Sequence, residues 1–326
     1  MHGPKSWNHT AEKNSRAERQ MGLNSRSYTY GNLLNPLFWF TILFKANVLH
    51  FYTGYFLLPL SQNHHELYSR LAGLELRFLQ LLGKKIVLHF QGCEIRDRFH
   101  PLAQSVCSQC KIKDQFCSPS RSTNRRKRLL KLCQIADAVT VSTPDLVTYL
   151  KRANIHLIPK IVEVNKELLS TSSKVNSKLN IIHAPTDRSI KGTDRIIEVL
   201  SRHQDKFELV LAEQMTREQV FSLAQSADLA IDQIRVGWYG NFAVEMMSLN
   251  LPVLAYIRQD LLNAALPLQL PIINAGEHNL EDVLIQIWEN RDQLREIGAK
   301  SRKFVSDFHS EAAVAGKLRE IYNSFS

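Results

Sequence analysis

The amino-acid sequence predicts an α/β protein of two Rossmann-like domains that face each other across a cleft. The chain has 326 residues, enough for two domains of ordinary size. Short apolar runs alternate with segments of helical periodicity, the pattern of parallel sheets covered by helices. A polar stretch interrupts this alternation, which then restarts. The pattern therefore predicts a first domain over 1–164, a linker over 165–178, and a second domain with terminal helices over 179–326.

The first domain is predicted from a few clear elements. Apolar runs over 46–51, 85–90 and 138–141 are expected strands, and the periodic segments 65–82 and 124–135 are expected helices. A doubly wound domain usually opens with a strand before its first helix. The helix-like segment from Ala11 to Met21 is preceded by ten residues without a strand pattern. The first strand is therefore expected to be missing or degenerate.

The second domain has the clearer alternation. Its expected strands are 179–183, 207–211, 229–231 and 252–256, and its expected helices are 192–201, 216–226, 241–249 and 280–288. Ligands of such sheets bind at the carboxyl ends of the strands. Candidate binding residues are therefore sought just after each strand.

Composition and charge exclude several classes of protein. Hydrophobic residues make up 44% and charged residues 22% of the chain, which argues against disorder. The net charge of +10 is uneven, because residues 1–175 hold 25 basic and 11 acidic residues, a net +14. This predicts an anionic partner for the first half. The start of the chain is polar, the apolar stretch 33–60 is interrupted, and the five cysteines are odd in number. These features predict a protein without a secretory signal or a membrane-spanning helix, in a reducing compartment. A cytoplasmic protein is therefore expected, and peripheral attachment to the inner face of the membrane is left open.

A first candidate site follows the strand 179–183. Arg188 and Lys191 lie in the segment after it, which leads into the next helix. Two cations beside a helix amino terminus suit a diphosphate. The competing interpretation is a solvated basic loop.

A second candidate segment runs from Asp232 to Leu254 and holds a glycine-containing loop, a helix and a strand. Gly237 and Gly240 permit close approach of the backbone to a ligand. Glu245, in the first turns of the helix, is placed to accept the hydroxyls of a ribose, or alternatively to interact with the helix dipole. The donor-binding candidates here are Asp232, Gly240, Asn241, Phe242 and Ala243.

These two segments together resemble the carboxyl-terminal, nucleotide-sugar-binding domain of GT-B glycosyltransferases, in particular glycosyltransferase family four (glycosyl transferases group 1). The resemblance runs through the sequences HAP at 183–185, KGTD at 191–194, GWYG at 237–240 and FAVE at 242–245. It implies that Arg188 and Lys191 hold the donor diphosphate and that Glu245 holds the ribose, making these three the catalytic candidates. The family often has two glutamates in an E-x7-E pattern, but Gly237 stands where the first, a contact of the donor sugar, is expected.

The first half is similar to the acceptor domain of the same family. On this comparison His89, Gln91 and Glu94 are the acceptor-side candidates, with Gln91 where relatives often have a histidine. His89 lies two residues before Gln91 and therefore on the same face of the strand. The alternative for His89 is a core histidine with satisfied hydrogen bonds.

Two further features of the first half leave alternatives open. Cys107, Cys110, Cys117 and Cys133 form either a four-thiolate zinc site or ordinary thiols, and the single C-x2-C pair favours the latter. The segment Arg121–Lys131 holds six cations and no acid. It is either a solvated helix face or a patch for an anionic membrane. Nucleic acid is not an expected partner, since no binding motif or stacking aromatic group accompanies the run.

The sequence thus predicts a glycosyltransferase that moves a sugar from a nucleotide-sugar donor to a glycan or a lipid-linked acceptor. The resemblance implies a retaining enzyme. No D-x-D pair is present to chelate a divalent ion, so metal independence and the absence of a cofactor are expected. The alternative is a non-catalytic GT-B-like protein that binds nucleotide sugars or glycans.

Overall fold

The computed structural model describes residues 1–3, 10–28, 35–52, 65–96, 119–150, 154–162, 177–265 and 270–325. They form two compact units. The first contains the described residues up to Ile161 together with the last helix, and the second contains those from Val162 to Ser310. Each unit has its own five-stranded sheet, and the strand pairs are parallel throughout. The predicted α/β class is confirmed. The predicted linker lies almost wholly outside the described residues, so its bounds stay a prediction.

The sheet of the first unit has its strands in sequence order. They are β1 (His2–Gly3), β2 (Val48–Tyr52), β3 (Lys85–Phe90), β4 (Ala138–Val141) and β5 (Ile155–Leu157). The opening strand is therefore present, with His2 and Gly3 as its described residues. They pair in parallel with His50 and Phe51 of β2. Two residues are too few to show an alternating pattern, so the sequence contained no sign of this strand.

Within the described residues, four helices of the first unit precede or connect these strands. They are α1 (Thr10–Gln20), α2 (Pro36–Phe40), which continues as a π-helical turn (Thr41–Lys45), α3 (His65–Leu81) and α4 (Pro119–Cys133). A 3₁₀ helix (Pro144–Tyr149) follows β4. Among the described helices, none has the length and apolar character needed to cross a membrane.

The last helix of the chain, α12 (Glu311–Asn323), belongs to the first unit. Its residues Val314 and Leu318 form one buried cluster with Ala17 of α1 and with Val87 and Ala138 of the sheet. The sequence assigned this helix to the second domain because it follows that domain along the chain. Its apolar side chains are buried instead against the sheet of the first unit.

The strands of the second unit are β6 (Leu179–His183), β7 (Phe207–Leu211), β8 (Leu229–Ile231), β9 (Val253–Ala255) and β10 (Ile272–Asn274). Their order in the sheet is β10-β9-β8-β6-β7. Its helices are α5 (Arg188–Lys191), α6 (Thr193–Ser201), α7 (Arg217–Ala224), α8 (Asn241–Ser248), α9 (Gln259–Ala265), α10 (Leu280–Glu289) and α11 (Leu294–Phe308).

Helices cover both faces of this second sheet. Val253 is buried in one cluster with residues of α7, α8 and α11, whereas the adjacent Leu254 is buried in another with residues of α6 and α10. Neighbouring strand residues point to opposite faces, so strands buried on both faces read as continuous apolar runs. The sequence predicted β6, β7 and β8 to the residue and β9 to within one residue at each end, whereas the less buried β10 was not predicted as a strand. Because β6 and β8 are adjacent in this packed sheet, the residues that follow them start from fixed, neighbouring positions.

Candidate functional site

The centre of the candidate site is an ion pair between Lys191 and Asp232. The Lys191 ammonium contacts Oδ1 of Asp232, although the two residues are 41 positions apart. Lys191 is 8% exposed and Asp232 is fully buried. Lys191 ends α5 after strand β6, and Asp232 follows strand β8 directly, so adjacent parallel strands deliver both groups to one edge of the sheet. The burial and the pairing hold the ammonium in one place.

Gly240 joins this pair to the amino terminus of α8. Its backbone N–H donates to Oδ2 of Asp232 at 2.6 Å. A Cβ atom at this position would lie 3.1 Å from Asp232 Oδ2 and 3.2 Å from Lys191 Nζ. The glycine therefore keeps the space beside the ammonium open. Asn241, Phe242 and Ala243 form the first turn of α8, whose N–H groups are a positive end of the helix.

The backbone of the loop after β8 is held against the loop that carries Lys191. The Ile234 N–H donates to the Lys191 carbonyl at 3.2 Å. Between α5 and α6, Gly192 has φ +78°, and a Cβ there would come within 2.5 Å of the Ile234 side chain. Arg235 adds a hydrogen bond of 2.7 Å to the Ser189 carbonyl. Glycine is thus required at 192 both by the backbone conformation and by the close approach of Ile234.

His183, the last residue of β6, makes hydrogen bonds to the segments that carry Asp232 and Lys191. Its Nδ1–H donates to the Ile231 carbonyl at 2.7 Å, and its Nε2 lies 2.9 Å from the Thr193 hydroxyl. Burial lowers the pKa of this imidazole, despite the carbonyl contact that favours the charged form. A neutral ring that donates from Nδ1 accepts the Thr193 hydroxyl proton at Nε2. His183 therefore ties β8, just before Asp232, to the start of α6, just after Lys191.

Arg188 and Glu245 are held by other partners. The Arg188 guanidinium binds Asp194 at 3.0 Å and Glu213 at 3.0 Å, with its side chain 43% exposed. Glu245 accepts a hydrogen bond of 2.8 Å from Nε of Arg217, on the neighbouring helix α7. Of the predicted trio, Lys191 alone makes the contact to Asp232 and lies beside Gly240. The roles of Arg188 and Glu245 toward a donor stay predictions.

The departure at Gly237 has a structural counterpart. Gly237 has φ +86°, and a Cβ there would lie 2.5 Å from Cδ of Arg258. The Arg258 N–H also donates to the Gly237 carbonyl at 2.9 Å. The arginine side chain thus occupies the space into which a side chain at 237 would project. Where the E-x7-E pattern has its first acid, this chain thus has a glycine that packs against the aliphatic part of the Arg258 side chain.

The acceptor-side candidates lie at the carboxyl end of β3 in the first unit, where His89 contacts residues at the end of β4. The His89 ring, 1% exposed, lies 2.7 Å from the Thr140 hydroxyl and 2.9 Å from the Ser142 hydroxyl. The carboxylate of Glu94 accepts the backbone N–H of Gln91 and so closes its own turn. These contacts match the alternative of a satisfied core histidine. An acceptor role for His89, Gln91 and Glu94 stays a prediction.

Two arginines of the basic run of α4 are buried, so the run is not solvated as a whole. Arg125 is 8% exposed and Arg128 is 6% exposed. Arg125 donates to the carbonyls of Glu94 at 3.1 Å and Cys93 at 2.9 Å. The Arg126 guanidinium lies 5.9 Å from the Tyr149 ring centre. Arg125 and Arg128 are therefore not available to a membrane, whereas Lys127 and Lys131 are exposed, and membrane docking of Arg121–Lys131 stays a prediction.

Three of the four cysteines of the candidate zinc site, Cys107, Cys110 and Cys117, lie outside the described residues. The fourth, Cys133, is buried in α4. Among the residues that the structure describes, no cluster of three or more His, Cys, Asp and Glu side chains is arranged to hold a metal ion.

Comparison with known proteins identifies the fold. No family model matches the chain, and no curated protein matches its sequence. Solved structures do match. Sucrose-phosphate synthase from Thermosynechococcus elongatus superposes with a TM-score of 0.61 at 14% identity, over 91% of this chain and 78% of that one. HepE from Anabaena, in complex with UDP and glucose, gives a TM-score of 0.56 at 12% identity, over 94% and 88%.

TarM is a third structural match, with a TM-score of 0.55 and 14% identity. The match covers 90% of this chain but 58% of TarM, so this chain spans less than two thirds of that protein. These matches show that the chain has the fold of GT-B glycosyltransferases. They do not confirm membership of family four, which the sequence resemblance had suggested.

Several residues of the site were missed by sequence reasoning. His183 and Thr193 belong to the matched motifs but had no predicted role, and Arg217 and Arg258 lie outside the motifs. A signal was available for His183, because a polar residue that ends an apolar strand at the ligand edge is expected to be hydrogen-bonded. For Arg217 and Arg258 the sequence held no such signal, since both contact residues more than 20 positions away.

Proposed function

We propose that this protein is a glycosyltransferase that transfers a sugar from a nucleotide-sugar donor to a glycan or a lipid-linked acceptor. The observation that carries the proposal is the buried Lys191–Asp232 pair beside the amino terminus of α8. An ammonium has three donors, and Asp232 takes one of them. The others, together with the N–H groups of the first turn of α8, suit a diphosphate. The UDP complexes of HepE, a protein of the same fold, favour a uridine nucleotide as the first donor to test.

The proposed chemistry depends on charge that develops in the leaving group. As the bond between the sugar and the diphosphate breaks, negative charge accumulates on the diphosphate oxygens. Lys191, already fixed by Asp232, and the helix N–H groups stabilise that charge without having to reorganise. Oε2 of Glu245 makes no hydrogen bond within the described residues and is assigned to a ribose hydroxyl, while Arg217 fixes the carboxylate through Oε1. Retention of anomeric configuration is proposed from the resemblance to family four.

A non-catalytic GT-B-like binding protein is the second candidate function. It is favoured by Gly237, where the resemblance places an acid at the donor sugar and the structure places Arg258. Hydrolysis and transfer assays with a panel of UDP- and GDP-sugars separate the two candidates. Release of nucleoside diphosphate supports the enzyme. Saturable binding of a nucleotide sugar without release across the panel supports the binding protein.

Arg188→Ala is expected to weaken UDP binding by less than about 1 kcal/mol. The guanidinium is half-exposed and already paired with Asp194 and Glu213, so a contact with the diphosphate would require it to leave both acids. Calorimetric titration of UDP and GDP measures the effect. Arg202→Ala is the matched control, because this arginine is similarly exposed and paired with Glu198 and Glu281. A loss for Arg188→Ala of about 1.5–3 kcal/mol, the range of a charge-assisted hydrogen bond, would place Arg188 on the diphosphate.

Sugar transfer is expected to continue in excess EDTA. The sequence has no D-x-D pair to bind a donor-associated metal, and Lys191 with the amino terminus of α8 is proposed to neutralise the diphosphate. The rate with and without chelator is the measurement. Loss of activity that Mn²⁺ or Mg²⁺ restores would reject the metal-independent mechanism, and loss that Zn²⁺ alone restores would revive the site at Cys107, Cys110 and Cys117.

A further inference from the structure

Large apolar side chains are exposed on α2, on its π-helical extension and on α3 in the first unit. We call this set the α2–α3 face. It comprises Leu37, Phe40, Phe44, Leu74, Phe78 and Leu81. Phe44 is 72% exposed and Leu81 is 86% exposed, values typical of charged side chains. Soluble monomers rarely expose apolar patches of this kind without a partner.

A groove of about 360 Å³ runs through this face. Trp39, Ile42 and Leu43 line one side of it, and Leu71, Leu74 and Phe78 line the other. A single ionisable side chain, that of Glu75, is among its eight lining residues. The groove therefore offers space for a hydrocarbon group and almost no hydrogen bonds.

The positive charge at the α2–α3 face comes from Lys45 and Arg77. The other two cations of 35–52 and 71–90 do not contribute, because Lys84 is buried and Lys85 pairs with Asp137 at 3.6 Å. Lys45 and Arg77 are exposed, and Nζ of Lys45 lies 5.7 Å from the Phe40 ring centre. A lysine next to tryptophan and phenylalanine on a short helix is the composition found at the interface between a bilayer and water.

We propose that the α2–α3 face docks on an anionic lipid bilayer. The apolar side chains enter the boundary between headgroups and acyl chains, the groove accommodates part of one acyl chain, and Lys45 and Arg77 lie at the level of the lipid phosphates. A symmetric dimer through this face would bring the same cations of both copies together, which disfavours a second copy as the occupant. The charges also complement anionic lipid directly. This surface is distinct from the basic run of α4.

Vesicle co-sedimentation tests the proposal with the full chain and without any sugar donor. Vesicles of phosphatidylcholine with 30% phosphatidylglycerol are compared with pure phosphatidylcholine. We expect binding to the anionic vesicles that weakens as salt rises. The double variant Phe44→Ser/Leu81→Ser should lower the bound fraction at least roughly tenfold, because both side chains would otherwise enter the bilayer. Lys45→Glu/Arg77→Glu should remove the preference for anionic vesicles.

Two matched controls make the test specific. Val147→Ser/Met215→Ser removes two exposed apolar side chains outside the α2–α3 face and should leave binding unchanged. Lys127→Glu/Lys131→Glu alters the exposed cations of α4 and should change binding less than Lys45→Glu/Arg77→Glu does. Thermal unfolding checks that each variant is folded.

The opposite results would overturn the proposal. One is binding that the Phe44/Leu81 change leaves intact. Another is a loss of vesicle binding in Lys127→Glu/Lys131→Glu but not in Lys45→Glu/Arg77→Glu. A third is a dimer in solution that Phe44→Ser/Leu81→Ser converts to a monomer while vesicle binding is absent, which would assign the face to a second copy. None of these outcomes bears on nucleotide binding, so failure here is distinguishable from failure of the proposed function.

Discussion

Lys191→Met is expected to weaken UDP binding by about 1.5–3 kcal/mol, or roughly 10- to 150-fold in Kd, since it removes the charge-assisted contacts to the diphosphate. The same change is expected to lower the free energy of unfolding of the second unit by about 3–5 kcal/mol. It leaves Asp232 fully buried without its cation, and a broken buried pair is costly. Calorimetric titration measures the first effect, and urea denaturation the second.

A double variant separates these two effects. Asp232→Asn keeps an acceptor for the Gly240 N–H and leaves the Lys191 charge in place, so UDP binding should persist. Lys191→Met/Asp232→Asn removes both charges and should recover much of the lost stability while UDP binding stays weak. Full UDP affinity in the stable double variant would show that Lys191 is structural and that the diphosphate binds elsewhere.

The sequence predicted the parts of this site that depend on strand ends. Apolar runs located β6 and β8, and the residues after them, Lys191 and Asp232, are in fact adjacent. What the sequence did not predict is the pairing itself. Arg188 was expected to hold the diphosphate together with Lys191. The sequence did not indicate that the Arg188 guanidinium pairs with two acids, one of which, Glu213, is 25 positions away.

The basic run of α4 shows the same limit for a whole helix. Counting cations along the chain predicts a positive face but does not say which cations the fold buries. Arg125, Arg128, Leu129 and Leu132 follow the i, i+3, i+4, i+7 spacing of one helix face, and all four are buried. Helical spacing applied to the arginines as well as to the leucines would have placed two of the cations on the core side.

Lowering the pH from 7 to 5 is expected to destabilise the first unit by about 2 kcal/mol through His89 alone. Burial, with contributions from Lys160 and His2, lowers the pKa of His89 from 6.5 to about 3. Between these values the unfolded chain binds a proton that the folded chain does not, so stability falls as the pH falls below 6.5 and levels off near 3. About 1.36 kcal/mol is lost per pH unit over this window. Burial also lowers the pKa of His50 well below its ordinary value, which adds a loss of the same sign.

Amide hydrogen exchange of β3 and β4 measures this stability for the first unit by itself. His89→Gln keeps polar contacts to the Thr140 and Ser142 hydroxyls but cannot titrate, so the slope of stability against pH between 6.5 and 5 should decrease by about one proton. His278→Gln, at an exposed position of the second unit, is the matched control and should leave the slope in β3 and β4 unchanged. An equal slope in the wild type and in His89→Gln would mean that His89 takes up its proton in the folded chain. The ring would then be accessible to solvent at the end of β3, as an acceptor-side histidine requires. It would not be a neutral ring enclosed in the core.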